Sequence, residues 1–219
     1  EATLEEMQPS LFKGLILTQE ETTLDVVNAI LTRTQAEVCC RPVKGVSYSL
    51  WANPFFNQIV QSNQGLEPGF SSAGGSAVVG ADLYSWDTPL VVGAAFGYSG
   101  NSLRWNRSAG VGHLSSYYGA LYLRGLSRNF FYNGALIGGG TFYKGERNIF
   151  FIPQASNDFP ANYRTATHTN SGFELGAHAD VGGTFGSTWQ VRPLVGLECL
   201  YAYERGYQET GAQSLNLDV

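Results

Sequence analysis

From Val46 onward, large apolar residues alternate with small or polar ones at a period of two. Val46, Tyr48, Leu50 and Ala52 share one face, and Ser47, Ser49, Trp51 and Asn53 share the other. In Ser76–Leu83, Ala77, Val79, Ala81 and Leu83 oppose Ser76, Val78, Gly80 and Asp82. Leu90, Val92, Ala94, Phe96 and Tyr98 oppose Val91, Gly93, Ala95, Gly97 and Ser99, large against small. In Leu114–Leu126, Tyr117, Leu121 and Leu123 oppose Tyr118, Tyr122 and Arg124, and Phe130–Glu146 is rich in glycine. The sharpest patterns come last. Phe173, Leu175, Ala177, Ala179 and Val181 face away from Glu174, Gly176, His178, Asp180 and Gly182. Val191, Pro193, Val195, Leu197, Cys199, Tyr201 and Tyr203 face away from Arg192, Gly196, Glu198, Ala202 and Glu204. Successive side chains on a strand point to opposite faces. The pattern therefore predicts seven strands, with Ser214–Val219 as the start of an eighth.

Two features separate this pattern from a soluble sandwich, which also alternates. The later strands reach thirteen residues or more, as in Leu114–Leu126. Globular strands usually run about five or six residues, whereas crossing a bilayer takes about 9–11. The connections also alternate, long at Gln58–Ala73, Asn101–His113 and Arg147–Thr169, tight at Ser85–Thr88, Ser127–Asn129 and Gly186–Thr188. Outer-membrane barrels sort their loops in this way, and carry aromatic girdles at both lipid–water boundaries. Tyr84, Trp86, Tyr98, Trp105, Tyr143, Trp189, Tyr201 and Tyr203 lie near strand ends and fit such girdles. The prediction is all-β: an antiparallel transmembrane β-barrel with up-and-down meander topology.

The first forty residues read as helix instead. Thr3–Gln8 is polar and helix-compatible, and Pro9 suits the first turn of a second helix. Thr18 with Glu21 gives a capping-box spacing. Leu24, Val27, Ile30 and Leu31 then recur at helical spacing, with Asp25, Asn28, Thr32 and Gln35 elsewhere on the surface. The helix is expected to end near Cys40, because Pro42 disfavours helical geometry in Arg41. Its weak amphipathicity suits a partly polar surrounding. The division expected is 1–44 as helical linker and pore helix, and 45–219 as barrel.

Composition narrows the function. Charged residues are 14% of the chain, with 27 Gly and 12 Tyr, against a usual charged fraction of about 25%. A mean hydropathy of −0.11 and the lack of a long apolar run argue against a spanning helix, but not against barrel strands. A net charge of −5 with no basic cluster excludes nucleic acid as the expected partner. Cys39, Cys40 and Cys199 have no metal-ligand spacing and read as small apolar residues. A bridge from Cys39 or Cys40 to Cys199 is the lesser alternative. The chain opens on Glu1 with no signal-like segment, as expected of a fragment or processed form.

Eight strands enclose room only for their own side chains or one small ligand, whereas a helix is about 10–12 Å across. A barrel holding this helix needs more strands, so the chain is expected to continue beyond Val219.

Several motifs, in order, resemble the translocator domain of autotransporters, the type V secretion proteins. They are a helix before Leu50-Trp51-Ala52, then Gly80-Ala81-Asp82, then Val92-Gly93-Ala94-Ala95-Phe96-Gly97-Tyr98-Ser99. Ser116-Tyr117-Tyr118-Gly119-Ala120-Leu121-Tyr122, Pro193-Leu194-Val195-Gly196-Leu197 and Glu209-Thr210-Gly211-Ala212 continue the series. Leu4-Glu5-Glu6-Met7-Gln8-Pro9 resembles the linker before such barrels. The resemblance implies a twelve-stranded outer-membrane barrel, about eight strands of it present here, with a helix through its pore. It implies a secreted passenger upstream in cis, displayed at the cell surface and anchored by the barrel. It also implies outer-membrane lipid, the barrel-assembly machinery and periplasmic chaperones as partners, and no cofactor. A porin or surface adhesin is the alternative, followed by a soluble β-sandwich binding module.

The residues expected to face the lumen are Asp82, Arg124, Glu174, His178, Asp180, Arg192 and Glu198; those expected on the pore helix are Leu24, Val27, Asn28 and Leu31. The acidic and histidine residues invite a catalytic reading, but charge is expected wherever water fills a lumen, and no enzyme activity is expected. Some autotransporters cut their pore helix at an asparagine. Asn28 lacks the usual paired asparagine and reads as an ordinary polar position. His113 and His168 have no partner spacing for a metal. Gly138–Gly140 reads as a bend or a close approach rather than a phosphate loop.

Overall fold

Seven strands follow one another in a single antiparallel meander: β1 Val46–Gln61, β2 Phe70–Ser85, β3 Leu90–Trp105, β4 Gly110–Ser127, β5 Phe130–Phe151, β6 Asn162–Gly183 and β7 Leu194–Glu204. They curve about one helix, α1, Leu11–Gln35. This is a computed structural model, and it describes residues 11–35, 45–65, 68–85, 89–127, 129–151, 162–186 and 191–218. Among those residues β1 and β7 are the edges of the sheet. Beyond β7, Gln208 and Asp218 form an isolated antiparallel bridge. Ser214 and Leu215, expected in an eighth strand, lie instead in a 3₁₀ turn, Gln213–Leu215.

Period-two alternation sorts the strands into an inner face against α1 and an outer face. On β5 the outer face reads Tyr132, Gly134, Leu136, Gly138, Gly140 and Phe142, while Asn133, Ala135, Ile137 and Thr141 face inward. Phe142 joins Tyr117 and Tyr98 in one outer aromatic cluster, with Phe173 against Tyr201 and Tyr203 beside it. Tyr132 stands ten residues earlier on β5. At about 3.3 Å per residue and about 40° of tilt, ten residues rise about 25 Å, the height of a barrel's apolar band. Between these levels the outer face of β1–β7 carries no charged residue among the described positions. Leu50, Val79, Leu83, Val92, Phe96, Leu121, Leu136, Leu175, Val195 and Leu197 all remain exposed there.

Part of the expected girdle is corrected by parity. Tyr84, Trp105 and Tyr143 are buried on the inner face. Trp86 and Trp189 fall outside the described residues, and Tyr98, Tyr201 and Tyr203 face outward. The long connections are also corrected. The strands consume most of them, leaving only Asn106–Ala109 between β3 and β4. β5 and β6 run to 22 residues each, about 55 Å along the membrane normal at about 40° tilt. That exceeds a hydrocarbon core of about 30 Å. Their ends at the long-connection side stand clear of lipid, where neither face need be apolar and alternation fades.

Among the described residues Leu11–Gln35 is one continuous helix, with no new start at Thr18. Thr18 is not an N-cap: its hydroxyl donates to the Gly14 carbonyl at 2.8 Å, one turn back. The predicted stretch at Thr3–Gln8 and the predicted end near Cys40 lie outside the described residues. With 25 residues α1 is about 37 Å long, enough to traverse the bilayer core.

Candidate functional site: the helix against the inner wall

Helical spacing brings Leu15, Thr18, Gln19, Thr22, Thr23, Val26, Val27, Ile30 and Leu31 to the wall, all of them buried. At the end nearest the long connections, Leu15 packs with Phe70, Leu103, Trp105, Leu114, Tyr143 and Tyr207. Gly14 permits this approach, since a Cβ there would stand 3.1 Å from Trp105 Nε1 and 3.2 Å from the Phe70 ring.

The middle of the helix is polar, and most of its side-chain groups are paired, Gln19 Nε2 being a buried exception. The Thr22 hydroxyl donates to the Thr18 carbonyl at 2.7 Å and accepts from Asn57 and Asn101 Nδ2, each at 3.1 Å. Thr23 donates to Glu174, which also accepts from the Thr141 hydroxyl at 2.5 Å. Tyr143 donates to the Gln19 side-chain carbonyl. A buried polar group left without such a partner costs about 1–3 kcal/mol, so these pairings fix the helix's depth and rotation.

Toward the tight-turn end the interface dries again. Val26, Val27, Ile30 and Leu31 pack on Val78, Tyr118, Ala120, Tyr122, Ala135 and Ile137. Below them Arg33 reaches Asp82, donating from Nε at 2.8 Å and from Nη2 at 2.6 Å. Nη2 also lies 3.0 Å from Tyr84 Oη and 3.2 Å from Ser49 Oγ. Asp82 accepts from Tyr84 at 2.8 Å and from Tyr122, whose oxygen in turn accepts from Trp51 Nε1 at 2.7 Å. Gly93 makes room for Tyr122, because a Cβ there would fall 2.2 Å from its ring. A cation in the last turn is also favoured by the helix dipole.

Of the expected lumen residues, Asp82 and Glu174 touch α1. Arg124 is buried on β4 opposite Asn133. His178 lies on the wall alone, its Nε2 3.0 Å from Asp180 and its Nδ1 3.6 Å from Glu198, while Asn133 donates to Asp180 at 2.7 Å. Arg192 is exposed, its guanidinium carbon 4.3 Å from the Phe131 ring centroid. On the helix Val27 and Leu31 are buried, Leu24 is half-buried, and Asn28 is exposed. Among the described residues no His, Cys, Asp or Glu group has metal-holding geometry. Cys199 is a free, exposed thiol on the outer face; Cys39 and Cys40 lie outside the described residues.

Arg33, Thr22, Thr23 and Gln19 also line the wall, outside the set expected from sequence, although their spacing of three and four continues the buried stripe. Tyr207 joins them, as does Glu209, which the sequence offers only within the Glu209–Ala212 motif. β7 pairs Glu204 with Gly172, whereas Thr210 then pairs with Thr167, one residue out of step. That bulge exchanges the faces, so Glu204 and then Tyr207 and Glu209 turn inward. Glu209 there meets Arg147 at 2.5 Å, and Tyr207 stacks on His168 with centroids 4.2 Å apart.

A meander with an uncharged outer band and a hydrogen-bonded helix on its inner wall is the architecture of an outer-membrane translocator barrel. The family model for the autotransporter β-domain matches residues 50–219, and the chain belongs to that family. Its barrel accordingly resides in the bacterial outer membrane. Among its relatives, outer membrane protein B of Rickettsia conorii is 27% identical over 185 residues, 81% of this chain and 11% of that protein. Outer membrane protein B of Rickettsia prowazekii is 28% identical over 184 residues, 78% of this chain and 10% of that protein. The chain thus spans about a tenth of these relatives' length. The translocator domain of NalP from Neisseria meningitidis shares the fold, with a TM-score of 0.67 at 11% identity, over 96% of this chain and 66% of that one.

Proposed function

We propose that residues 45–219 form the membrane barrel and residues 1–44 the linker and pore helix of a translocator that exports and anchors an N-terminal passenger. The observation that carries this is the direction of α1. Leu15 lies among Phe70, Trp105 and Leu114 at the long-connection end, and Arg33 lies on Asp82 at the tight-turn end. With tight turns on the periplasmic side, whatever precedes Leu11 emerges at the cell surface. The action is mechanical rather than catalytic: the outer face holds the barrel in lipid, and the inner wall grips the helix. Lumen-facing roles for Arg124, His178, Asp180, Arg192 and Glu198 are to keep that wall hydrated and charged. Periplasmic chaperones and the barrel-assembly machinery are the partners that an exported barrel needs for insertion.

The test places an epitope ahead of Glu1 in the full chain and treats intact cells with protease. Removal of the epitope, with the barrel still heat-modifiable in detergent, is expected. An epitope protected in intact cells and cut only after the outer membrane is breached would reverse the orientation and sink the proposal.

A further inference from the structure

Arg104, His113 and Lys144 are exposed on the outer face at its long-connection end. Lys144 follows Phe142 by two residues on β5, directly above the aromatic cluster. His113 pairs with Lys144 across β4 and β5. It also pairs with Ser102 across β3 and β4, its Nδ1 3.1 Å from the Ser102 hydroxyl. Arg104 stands two residues beyond Ser102 on the same face. Adjacent strands are about 4.8 Å apart and residues about 3.3 Å apart along each, so the three positions lie within about 12 Å of one another across the sheet. Glu146, two residues beyond Lys144, is the acidic neighbour on this face, and the group stays net positive.

Depth identifies the ligand. Two residues above Phe142 correspond to about 5 Å along the membrane normal, which puts Arg104 and Lys144 at headgroup level, with the His113 ring between them. Arginine and lysine there meet phosphate rather than hydrocarbon, and an arginine fork matches phosphate oxygens in pairs. Beneath the rings the same outer face recedes into an apolar groove of about 730 Å³ lined by Gly119, Leu121, Leu136, Gly138, Leu175 and Tyr201. Gly119 has nothing within 4 Å of where a Cβ would stand. Cations, rings and trough thus follow one another down β5, as phosphate, glycosidic or glycerol backbone and acyl chain follow one another in a lipid.

We propose that Arg104, His113 and Lys144 bind the phosphate-bearing headgroup of an outer-leaflet lipid, with one acyl chain laid in the groove below. This rests on the outer-membrane orientation given above. Each basic residue beside an anionic surface is worth roughly five-fold in affinity. Native mass spectrometry of the full chain, folded in detergent and offered diphosphoryl lipid A or the same lipid stripped of its phosphates, tests it. The phosphorylated form is expected to be retained at least about ten-fold better, and R104Q/K144Q to abolish that preference. R205Q removes one exposed charge elsewhere and is expected to keep it. Equal retention of the two lipids by the wild-type chain, equal loss in R205Q, or displacement of the lipid by inorganic phosphate would each overturn the site. Heat-modifiable migration is scored first: its absence in the wild-type chain removes the membrane reading and the site with it. Its presence with equal lipid retention removes the site alone.

Discussion

Arg33 and Asp82 form an ion pair between the helix and the wall, with Nη2 2.6 Å from Oδ2 and the carboxylate almost wholly buried. They are 49 residues apart in the chain. The pair anchors the tight-turn end of α1, and Tyr84 and Tyr122 complete the carboxylate's hydrogen bonds. Removing one member strands the other in a poorly hydrated place. D82N is expected to cost about 3 kcal/mol. In a double-mutant cycle with R33Q the two losses should fall short of additive by about 1–3 kcal/mol. Unfolding in denaturant, followed by heat-modifiable migration, measures both; strict additivity would mean the pair does not act as a unit.

At the other end Leu15 is fully buried among aromatic rings. L15A should cost about 2–4 kcal/mol through lost packing and a residual cavity. G14V should do similar harm by driving a side chain into Trp105 and Phe70. Both are expected to increase ion conductance in planar bilayers, since they loosen the helix where the pore opens. Unchanged conductance in both variants would show that Leu15 is no seal.

The buried stripe also predicts which cysteines can be joined. With the native cysteines replaced by alanine, T23C with E174C should be joined by a short bis-thiol reagent, because the Thr23 hydroxyl meets the tip of the longer Glu174 side chain, a span beyond the reach of a disulfide. N28C with E174C should not: Asn28 is exposed, and five residues along a helix turn it to a different face. Gel electrophoresis after treatment with the reagent reads the result; efficient bridging from position 28 would require a rotated helix.

Outer-face chemistry predicts a depth-dependent penalty. L136R lies mid-band and should cost about 2–4 kcal/mol, whereas S71R, level with Arg104 on the neighbouring strand, should cost about 0–1 kcal/mol. Folding yield into lipid vesicles compares them. Equal tolerance of both would contradict a lipid-facing band.

Tyr207 follows β7, beyond the membrane-spanning stretch, and burial pushes its phenol up from the ordinary value of 10, with Glu209 and Glu204 adding to the effect and Arg147 opposing it. A raised acid pKa favours the neutral folded form. Its contribution is therefore whole below about pH 10, the ordinary phenol range, and falls as pH climbs above it. Hydrogen exchange of residues 205–218 should accelerate above about pH 10 in the wild type and much less so in Y207F. Identical alkaline profiles would assign the loosening to another group.

Much of the wall was legible because its signal is local. Alternation along a strand needs only the next residue, so Leu175 against Glu174, or Leu121 against Tyr122, declares its face without knowledge of any other strand. The long apolar band and the helical spacing of Val27, Ile30 and Leu31 are of the same kind. The polar ends of β5 and β6 look like loop in the sequence because strand outside lipid has no need to alternate. Tyr84, Trp105 and Tyr143 stand near strand ends, as girdle residues do, but their parity places them on the inner face.

Seven strands, their two faces and a helix follow from side-chain spacing within a few residues. The run of the helix from the long-connection end to the tight-turn end, with Thr23 on Glu174 and Arg33 on Asp82, comes instead from contacts between distant segments. So does the bulge after Glu204 that turns Tyr207 and Glu209 inward. Those contacts join residues up to 151 positions apart. They exist because buried hydroxyls, amides and charges must find partners across the wall, and nothing in the spacing of one segment says which partners another will offer.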